Sequence, residues 1–202
     1  MSIIKNIIRY PIKGLSGEYL DKILLEVNQT IPGDREYAFA RFNTKFDQNN
    51  PVYLRKTNFL ALVKEEKLAK LTTIFNPKSK QFIIKIDNNI VVDEKLTNKN
   101  NINKVEIFFQ DYLGMSKEEK PRLVKGIKAN KTNSTHSFSD IPDKAISIIN
   151  LNTVFELQNK LGKQISPSRF RANLLVDGVN AWEEFNWIGK KIYVGDAILE
   201  VF

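Results

Sequence analysis

The stretch Lys80-Gln-Phe-Ile-Ile-Lys-Ile-Asp-Asn-Asn-Ile-Val-Val-Asp93 consists of two runs of β-branched and aromatic residues on either side of adjacent asparagines. Such runs predict strands over 80–86 and 90–93, and Asn88–Asn89 predicts the tight turn of a hairpin between them. Outward from this stretch, similar short alternations of apolar and polar residues predict further strands over Ile3–Arg9, Tyr19–Val27 and Arg35–Arg41. The first half of the chain therefore predicts a β-meander or a small barrel.

One helix is predicted after these strands. Apolar residues recur there at intervals of three and four, and Gly114 follows as a C-cap. Residues 117–134 are rich in Lys, Asn and Thr and predict a linker around a short strand candidate, Pro121–Lys125. This pattern places a boundary near residue 120 and divides the chain into a unit over 1–115 and a second unit over 120–202.

The second half predicts a strand over Ala145–Ile149 and then a helix that ends at Gly162, with Asn152 or Thr153 as its N-cap. Three further strand-like segments follow, at Arg169–Val176, Lys190–Val194 and Ala197–Phe202. The fold class predicted from all of these elements is mainly β with a few helices.

Composition narrows the possible functions. The chain has 202 residues, a net charge of +8, no cysteine and one histidine, so disulfides, cysteine-bound metal and a cysteine nucleophile are excluded. Residues 1–101 carry 17 basic and 11 acidic side chains, which favours an anionic partner: nucleic acid, a phosphorylated small molecule or an acidic protein surface. Apolar runs are far shorter than the roughly 20 residues that span a bilayer, so we expect a cytoplasmic protein that does not enter a membrane.

The densest group of candidate binding residues is Ser166-Pro-Ser-Arg-Phe-Arg-Ala-Asn173. If residues 169–173 are extended, Arg169, Arg171 and Asn173 share one face of the strand. Two guanidinium groups and a carboxamide suit a phosphate or a carboxylate, because arginine presents planar bidentate donors. The alternative is that both arginines are solvated or paired with Glu183 and Glu184.

Weaker candidates lie elsewhere in the chain. Lys13 and Arg35 each stand beside Gly and Pro at a predicted strand end, where backbone amides can also face an anion. The segment Trp182–Trp187 predicts packed rings and a carboxylate that holds a neighbouring arginine. His136, in a polar loop, is expected to face solvent and is assigned no catalytic role.

The last segment, Ala197–Phe202, ends on apolar residues with no polar tail or turn after them. An unpaired apolar edge strand is an aggregation hazard that proteins usually cover. We therefore expect the natural chain to continue past Phe202.

Taken together, the motifs resemble the MOSC-domain proteins, which include the molybdenum cofactor sulfurase C-terminal domain and the amidoxime-reducing enzymes. In chain order they are Tyr10-Pro-Ile-Lys-Gly14, Pro32-Gly-Asp-Arg35, Phe138-Ser-Asp140, Ser166-Pro-Ser-Arg-Phe-Arg-Ala-Asn173, Val176-Asp-Gly178, Ala181-Trp-Glu-Glu184, Trp187-Ile-Gly189 and Val194-Gly-Asp196. The resemblance runs through nearly the whole chain. It implies an N-terminal β-barrel packed on a C-terminal MOSC domain.

The resemblance further implies binding of the molybdenum cofactor, Mo-molybdopterin, in a basic cleft between the two units. By position it assigns the pterin and its phosphate to Lys13, Arg35, Arg171 and Asn173, with Arg169 as a weaker member. Reductases of the family often have serine where this chain has Gly14. The cysteine that ligates molybdenum in active members is expected beyond Phe202, so catalytic residues stay unassigned and no residue of this chain is predicted as a metal ligand.

Three functions follow as hypotheses. The first is a molybdenum-cofactor oxidoreductase that reduces N-oxygenated small substrates with electrons from an iron–sulfur or flavin protein. The second is a cofactor-handling or sulfur-transfer module that works beside a pyridoxal-phosphate desulfurase, whose own fold, and with it the pyridoxal-phosphate site, is absent from this chain. The third is a basic β-barrel that binds RNA or single-stranded DNA, which ranks last because its aromatic residues alternate as core residues do.

Overall fold

The computed structural model describes residues 2–126 and 136–202. Within these residues the chain forms eleven strands and two α-helices, which confirms the predicted fold class of mainly β with few helices. The strands are β1 (Ile3–Arg9), β2 (Glu18–Leu20), β3 (Tyr37–Ala40), β4 (Leu71–Phe75), β5 (Gln81–Ile86), β6 (Asn89–Lys95), β7 (Arg122–Lys125), β8 (Ile148–Asn150), β9 (Leu174–Asp177), β10 (Lys191–Val194) and β11 (Ala197–Glu200). The helices are α1 (Lys99–Leu113) and α2 (Leu151–Leu161).

A four-stranded sheet, in the order β2-β1-β9-β8, joins the beginning of the chain to its second half. Strand β1 runs antiparallel to β9, whereas β8 and β9 are parallel and are connected through α2. The remaining strands form the sheets β4-β5-β6, β3-β7 and β10-β11. The pairings between described residues close none of these sheets into a ring, so the barrel architecture stays a prediction, as does the two-unit division of the chain.

The main core lies between α1 and the sheets of the first half. Phe39, Phe82 and Phe109 are almost fully buried there, and the rings of Phe39 and Phe109 lie 4.4 Å apart between centroids. Helix α1 ends at Gly114 in the left-handed conformation, as its sequence pattern predicts. A smaller core of Ile8, Tyr10, Ala172 and Leu175 packs where β1 meets β9.

Several local predictions are confirmed only approximately. The hairpin between β5 and β6 exists, but its turn residues with positive φ are Asp87 and Asn88, one position before the predicted pair. The strand predicted over Tyr19–Val27 was wrong beyond Leu20, because the pairing with β1 ends there. Strand β4 was not predicted at all.

The N-cap of α2 is Asn150, whose side chain accepts a hydrogen bond from the Asn152 backbone, so the prediction of Asn152 or Thr153 as the cap was wrong. The predicted extended conformation over Arg169–Asn173 was wrong as well. Pro167–Phe170 form a short 3₁₀ helix, and Arg171 ends it in the left-handed conformation with φ 55°. Proline at the first helical position favours this turn, because its φ is already fixed near the helical value.

Candidate anion-binding site

Two loops of the first half lie side by side next to β1. Residues 10–13 run parallel to residues 35–37, with an isolated bridge between Ile12 and Tyr37. Backbone hydrogen bonds lock the loops together, from Lys13 N to Tyr37 O at 2.8 Å and from Arg35 N to Tyr10 O at 2.6 Å. Lys13 and Arg35 are thereby brought to the same region, although 22 positions separate them.

Pairing of β1 with β9 brings Arg171 to the same place. The Ile8 backbone donates to Asn173 O at 2.7 Å, which sets Arg171 beside the Tyr10 ring. The guanidinium carbon of Arg171 lies 4.2 Å from the centroid of this ring, and that of Arg35 lies 5.0 Å from it. Arg35 Nη2 also donates to the backbone oxygen of Arg171 at 3.0 Å, so the two arginines lie side by side.

We call Lys13, Arg35 and Arg171, together with the Tyr10 ring that both arginines approach, the cation cluster. Asp34 fixes the position of two members of the cluster. Its Oδ1 accepts from the Tyr10 backbone at 2.8 Å, and its other oxygen pairs with Arg35. Asp34 is only 4% exposed, so this carboxylate is a fixed part of the fold.

The amine of Lys13 lies under the segment Phe138–Asp140. Its Nζ donates to Phe138 O at 2.8 Å and to Ser139 O at 3.4 Å, and it forms an ion pair with Asp140. Burial lowers the pKa of Lys13, the ion pair with Asp140 opposes this, and the nearby Arg35 and Arg171 lower the pKa further. Lys13 and Arg171 therefore each lie close enough to Arg35 for its charge to act on them.

Arg171 is the member with an unfilled hydrogen-bonding position. Its Nη1 donates to Leu15 O at 2.6 Å, whereas its Nη2 is buried and has no hydrogen-bond partner among the described residues. Burial, and then the repulsion of Arg35, lower the pKa of Arg171 to about 10, so the group remains a cation at neutral pH. A buried cationic donor without an acceptor costs free energy that an anion placed beside it would recover.

Asn173 does not offer a free polar group to a ligand, because its side chain is buried and hydrogen-bonded within the protein. It is 2% exposed, and its Nδ2 donates to Ile8 O at 3.0 Å and to Asp34 Oδ1 at 3.1 Å. Its Oδ1 accepts from the Ser147 hydroxyl at 2.9 Å. The carboxamide therefore positions Asp34, and through Asp34 it positions Arg35.

Arg169 is exposed and lies in the 3₁₀ helix, because the chain is not extended there. None of the contacts within the described residues joins its side chain to the cation cluster. Neither arginine of this segment pairs with Glu183 or Glu184 in the described part of the chain.

Gly14 follows Lys13 with φ 80°, and a Cβ atom built on it would lie 2.9 Å from Leu60 O. Both the left-handed backbone and this contact disfavour any side chain. The serine that the family resemblance leads one to expect at this position would therefore be strained here.

The segment Trp182–Trp187 differs from its prediction. Trp182 is 37% exposed rather than packed in the core, and its backbone has φ 68°. Among the described residues Glu184 holds no arginine: it accepts from Asn150 Nδ2 at 2.8 Å and from the Thr153 hydroxyl at 3.0 Å. This carboxylate ties the corner after β9 to the start of α2.

His136 is half-buried instead of facing solvent, with its ring 4.9 Å from that of Phe138, and burial lowers its pKa. In residues 2–126 and 136–202, no group of three or more His, Asp or Glu side chains lies close enough together to hold a metal ion. In the same residues, no helix is both long and apolar enough to cross a membrane.

The chain was compared with known protein families. Residues 133–202 match the MOSC domain. The resemblance predicted from the motifs is thereby confirmed for this segment, which carries a family-level association with the molybdenum cofactor. The matched segment contains Arg171, Asn173 and Asp140, whereas Lys13 and Arg35 lie outside it. No curated protein sequence gives a significant match to the chain.

Sequence reasoning missed three members of this site, namely Tyr10, Asp34 and Asp140. Each stands inside a motif that was singled out for another residue, in Tyr10–Gly14, Pro32–Arg35 or Phe138–Asp140. For Tyr10 and Asp34 the available signal was their position close to Lys13 and Arg35 in the chain. Asp140 lies 127 positions from Lys13, so only its own motif marked it.

Proposed function

We propose that this protein binds the molybdenum cofactor and that the cation cluster holds the phosphate of its pterin. The observation that carries the proposal is Arg171 Nη2, a buried cationic donor without a partner among the described residues. Such a donor fits an anionic oxygen, and the MOSC match at residues 133–202 supports the pterin phosphate as its source.

The donor set suits this ligand. Lys13, Arg35 and Arg171 supply three positive charges, and Asp34 and Asp140 supply two negative ones. Arg171 and Arg35 would hold the phosphate, and Lys13 would stabilise its charge from the other side. Asn173 would act through Asp34 as a positioning residue, and Arg169, which is exposed, would contribute at most to the approach of the ligand.

We further propose that the protein is an oxidoreductase acting on N-oxygenated small molecules. When bound, the molybdenum centre supplies the change of redox state, and the protein supplies binding and orientation. The electrons would come from a separate iron–sulfur or flavin protein. In this proposal the positive charge serves the cofactor, so neither nucleic acid nor a membrane is a partner, and the protein acts in the cytoplasm.

The test uses protein produced in a host that makes the cofactor. We expect pterin and molybdenum to co-purify with the protein, and we expect reduction of an aromatic amidoxime with chemically reduced viologen as electron donor. Bound cofactor without reductase activity, together with acceptance of sulfur from a pyridoxal-phosphate desulfurase, would instead favour the sulfur-transfer hypothesis. A protein free of pterin would contradict the proposed function.

A further inference from the structure

We propose that Asp140 is an internal competitor for the anion at Lys13, and that the bound anion displaces it. This inference rests on the proposed anion-binding role of the cation cluster. In the absence of ligand, the Asp140 carboxylate neutralises part of the positive charge of the cation cluster. A ligand with enough negative charge then takes its place at Lys13.

The segment that covers Lys13 is anchored at one end and exposed at the other. Phe138 is 2% exposed, and its ring packs 5.1 Å from that of Phe46 and 5.2 Å from that of Phe59. Two positions later, the Asp140 side chain is 63% exposed although its partner Lys13 is only 5% exposed. The carboxylate can therefore turn towards solvent without disturbing the buried phenylalanines.

The two carboxylates of the site, Asp34 and Asp140, differ in burial and in the number of their hydrogen-bond partners. Asp34 is buried and accepts from the Tyr10 backbone and from Asn173, besides pairing with Arg35. Within residues 2–126 and 136–202, the Asp140 carboxylate forms one ion pair, with Lys13. Asp140 is thus the acidic group that an incoming anion would replace.

Charge arithmetic indicates what kind of anion this arrangement selects. With Asp140 in place, the three cations exceed the two carboxylates by one, and without it they exceed Asp34 by two. A phosphate monoester carries close to two negative charges near neutral pH, because its second pKa is about 6. A dianion that replaces Asp140 therefore adds one negative charge to the site and neutralises its remaining positive charge. A monoanion that replaces Asp140 leaves the net charge of the site unchanged.

A calorimetric titration with inorganic phosphate at about pH 8, where the dianion dominates, tests the proposal. Asp140→Asn removes the competing charge and keeps the shape of the side chain, so it should bind phosphate about two- to fivefold more tightly, the range expected for a partly exposed ion pair. Asp143→Asn is the matched control, since Asp143 is exposed three positions after Asp140 and its substitution changes the net charge equally. The control should change the affinity by less than about 1.5-fold.

A second variant separates displacement from net charge. Tyr53 donates its hydroxyl to Asp140 O at 2.9 Å, so Tyr53→Phe loosens this end of the segment without altering any charge. It should also tighten phosphate binding, by less than Asp140→Asn does. In a Lys13→Met background, Asp140→Asn should have no more effect than Asp143→Asn, because the cation for which the carboxylate competes is absent.

Equal or weaker phosphate binding by Asp140→Asn, relative to Asp143→Asn, would overturn the proposal and make Asp140 a supporting part of the site. An undiminished effect of Asp140→Asn in the Lys13→Met background would overturn it as well. Failure of the proposed function is a different result, namely protein that carries no pterin, and it leaves the ranking of phosphate affinities unchanged.

Discussion

Arg171 is the residue on which this account depends most. Its pKa is lowered to about 10, which means that its protonated form is less stable in the folded protein than in the unfolded chain. The resulting destabilisation is fully present below about pH 10 and diminishes progressively as the pH rises above that value. A bound anion would remove it at neutral pH.

Phosphate should therefore raise the melting temperature of the protein. At a concentration near ten times the dissociation constant, we expect an increase of about 3–6 °C for a chain of this size. Arg171→Met should reduce the increase to less than about 1 °C. Calorimetric scans in phosphate and in chloride of equal ionic strength give the comparison, and an equal increase in both proteins would show that phosphate acts elsewhere.

At the scale of elements, the start of α2 shows that an N-cap residue can also hold a second part of the structure. Asn150 is fully buried, caps α2 through its side-chain oxygen, and donates to Glu184 from its amide. Asn98, the N-cap of α1, accepts from Asn101 N and is exposed. Both asparagines cap a helix, and Asn150 in addition holds Glu184 through its amide.

Asn98→Ala should lower the free energy of unfolding by about 1 kcal/mol, the usual value of a lost cap. Asn150→Ala should lower it by about 2–4 kcal/mol, because it also removes the hydrogen bond that buried Asn150 donates to the Glu184 carboxylate. Urea unfolding of both variants measures the difference. If the two losses are equal, Asn150 acts as a cap alone and the corner at Glu184 does not depend on it.

Elements also show where sequence reasoning succeeded and where it failed. Helices α1 and α2 were predictable because their apolar spacing and the glycines after them agree. The segment 169–173 was misread because alternation of Arg and apolar residues imitates a strand. Ser166–Pro167 was the better guide, since it marks the first turn of a helix, and Phe170, which alternation would bury, is 45% exposed.

At the scale of the molecule, the site could not be derived from spacing alone. Lys13 and Arg35 meet Arg171 because β1 pairs with β9 across more than 160 positions, and such a pairing leaves no mark in local sequence patterns. The family resemblance supplied the grouping, and the structure gives its physical basis. The cation cluster lies partly inside the matched segment at 133–202 and partly outside it, so two of its three cations, Lys13 and Arg35, come from the first 40 residues.

In the proposed function the cation cluster holds the cofactor through Arg171. The most direct test is the pterin and molybdenum content of Arg171→Ala and Arg169→Ala proteins, purified from a cofactor-producing host and checked for folding by circular dichroism. Arg169 lies two positions away but is exposed, so its variant should retain the cofactor. Arg171→Ala should weaken binding by about 1.5–3 kcal/mol, on the order of ten- to a hundredfold, and Arg171→Lys should recover only part of that loss. Full cofactor occupancy in folded Arg171→Ala protein would contradict the account.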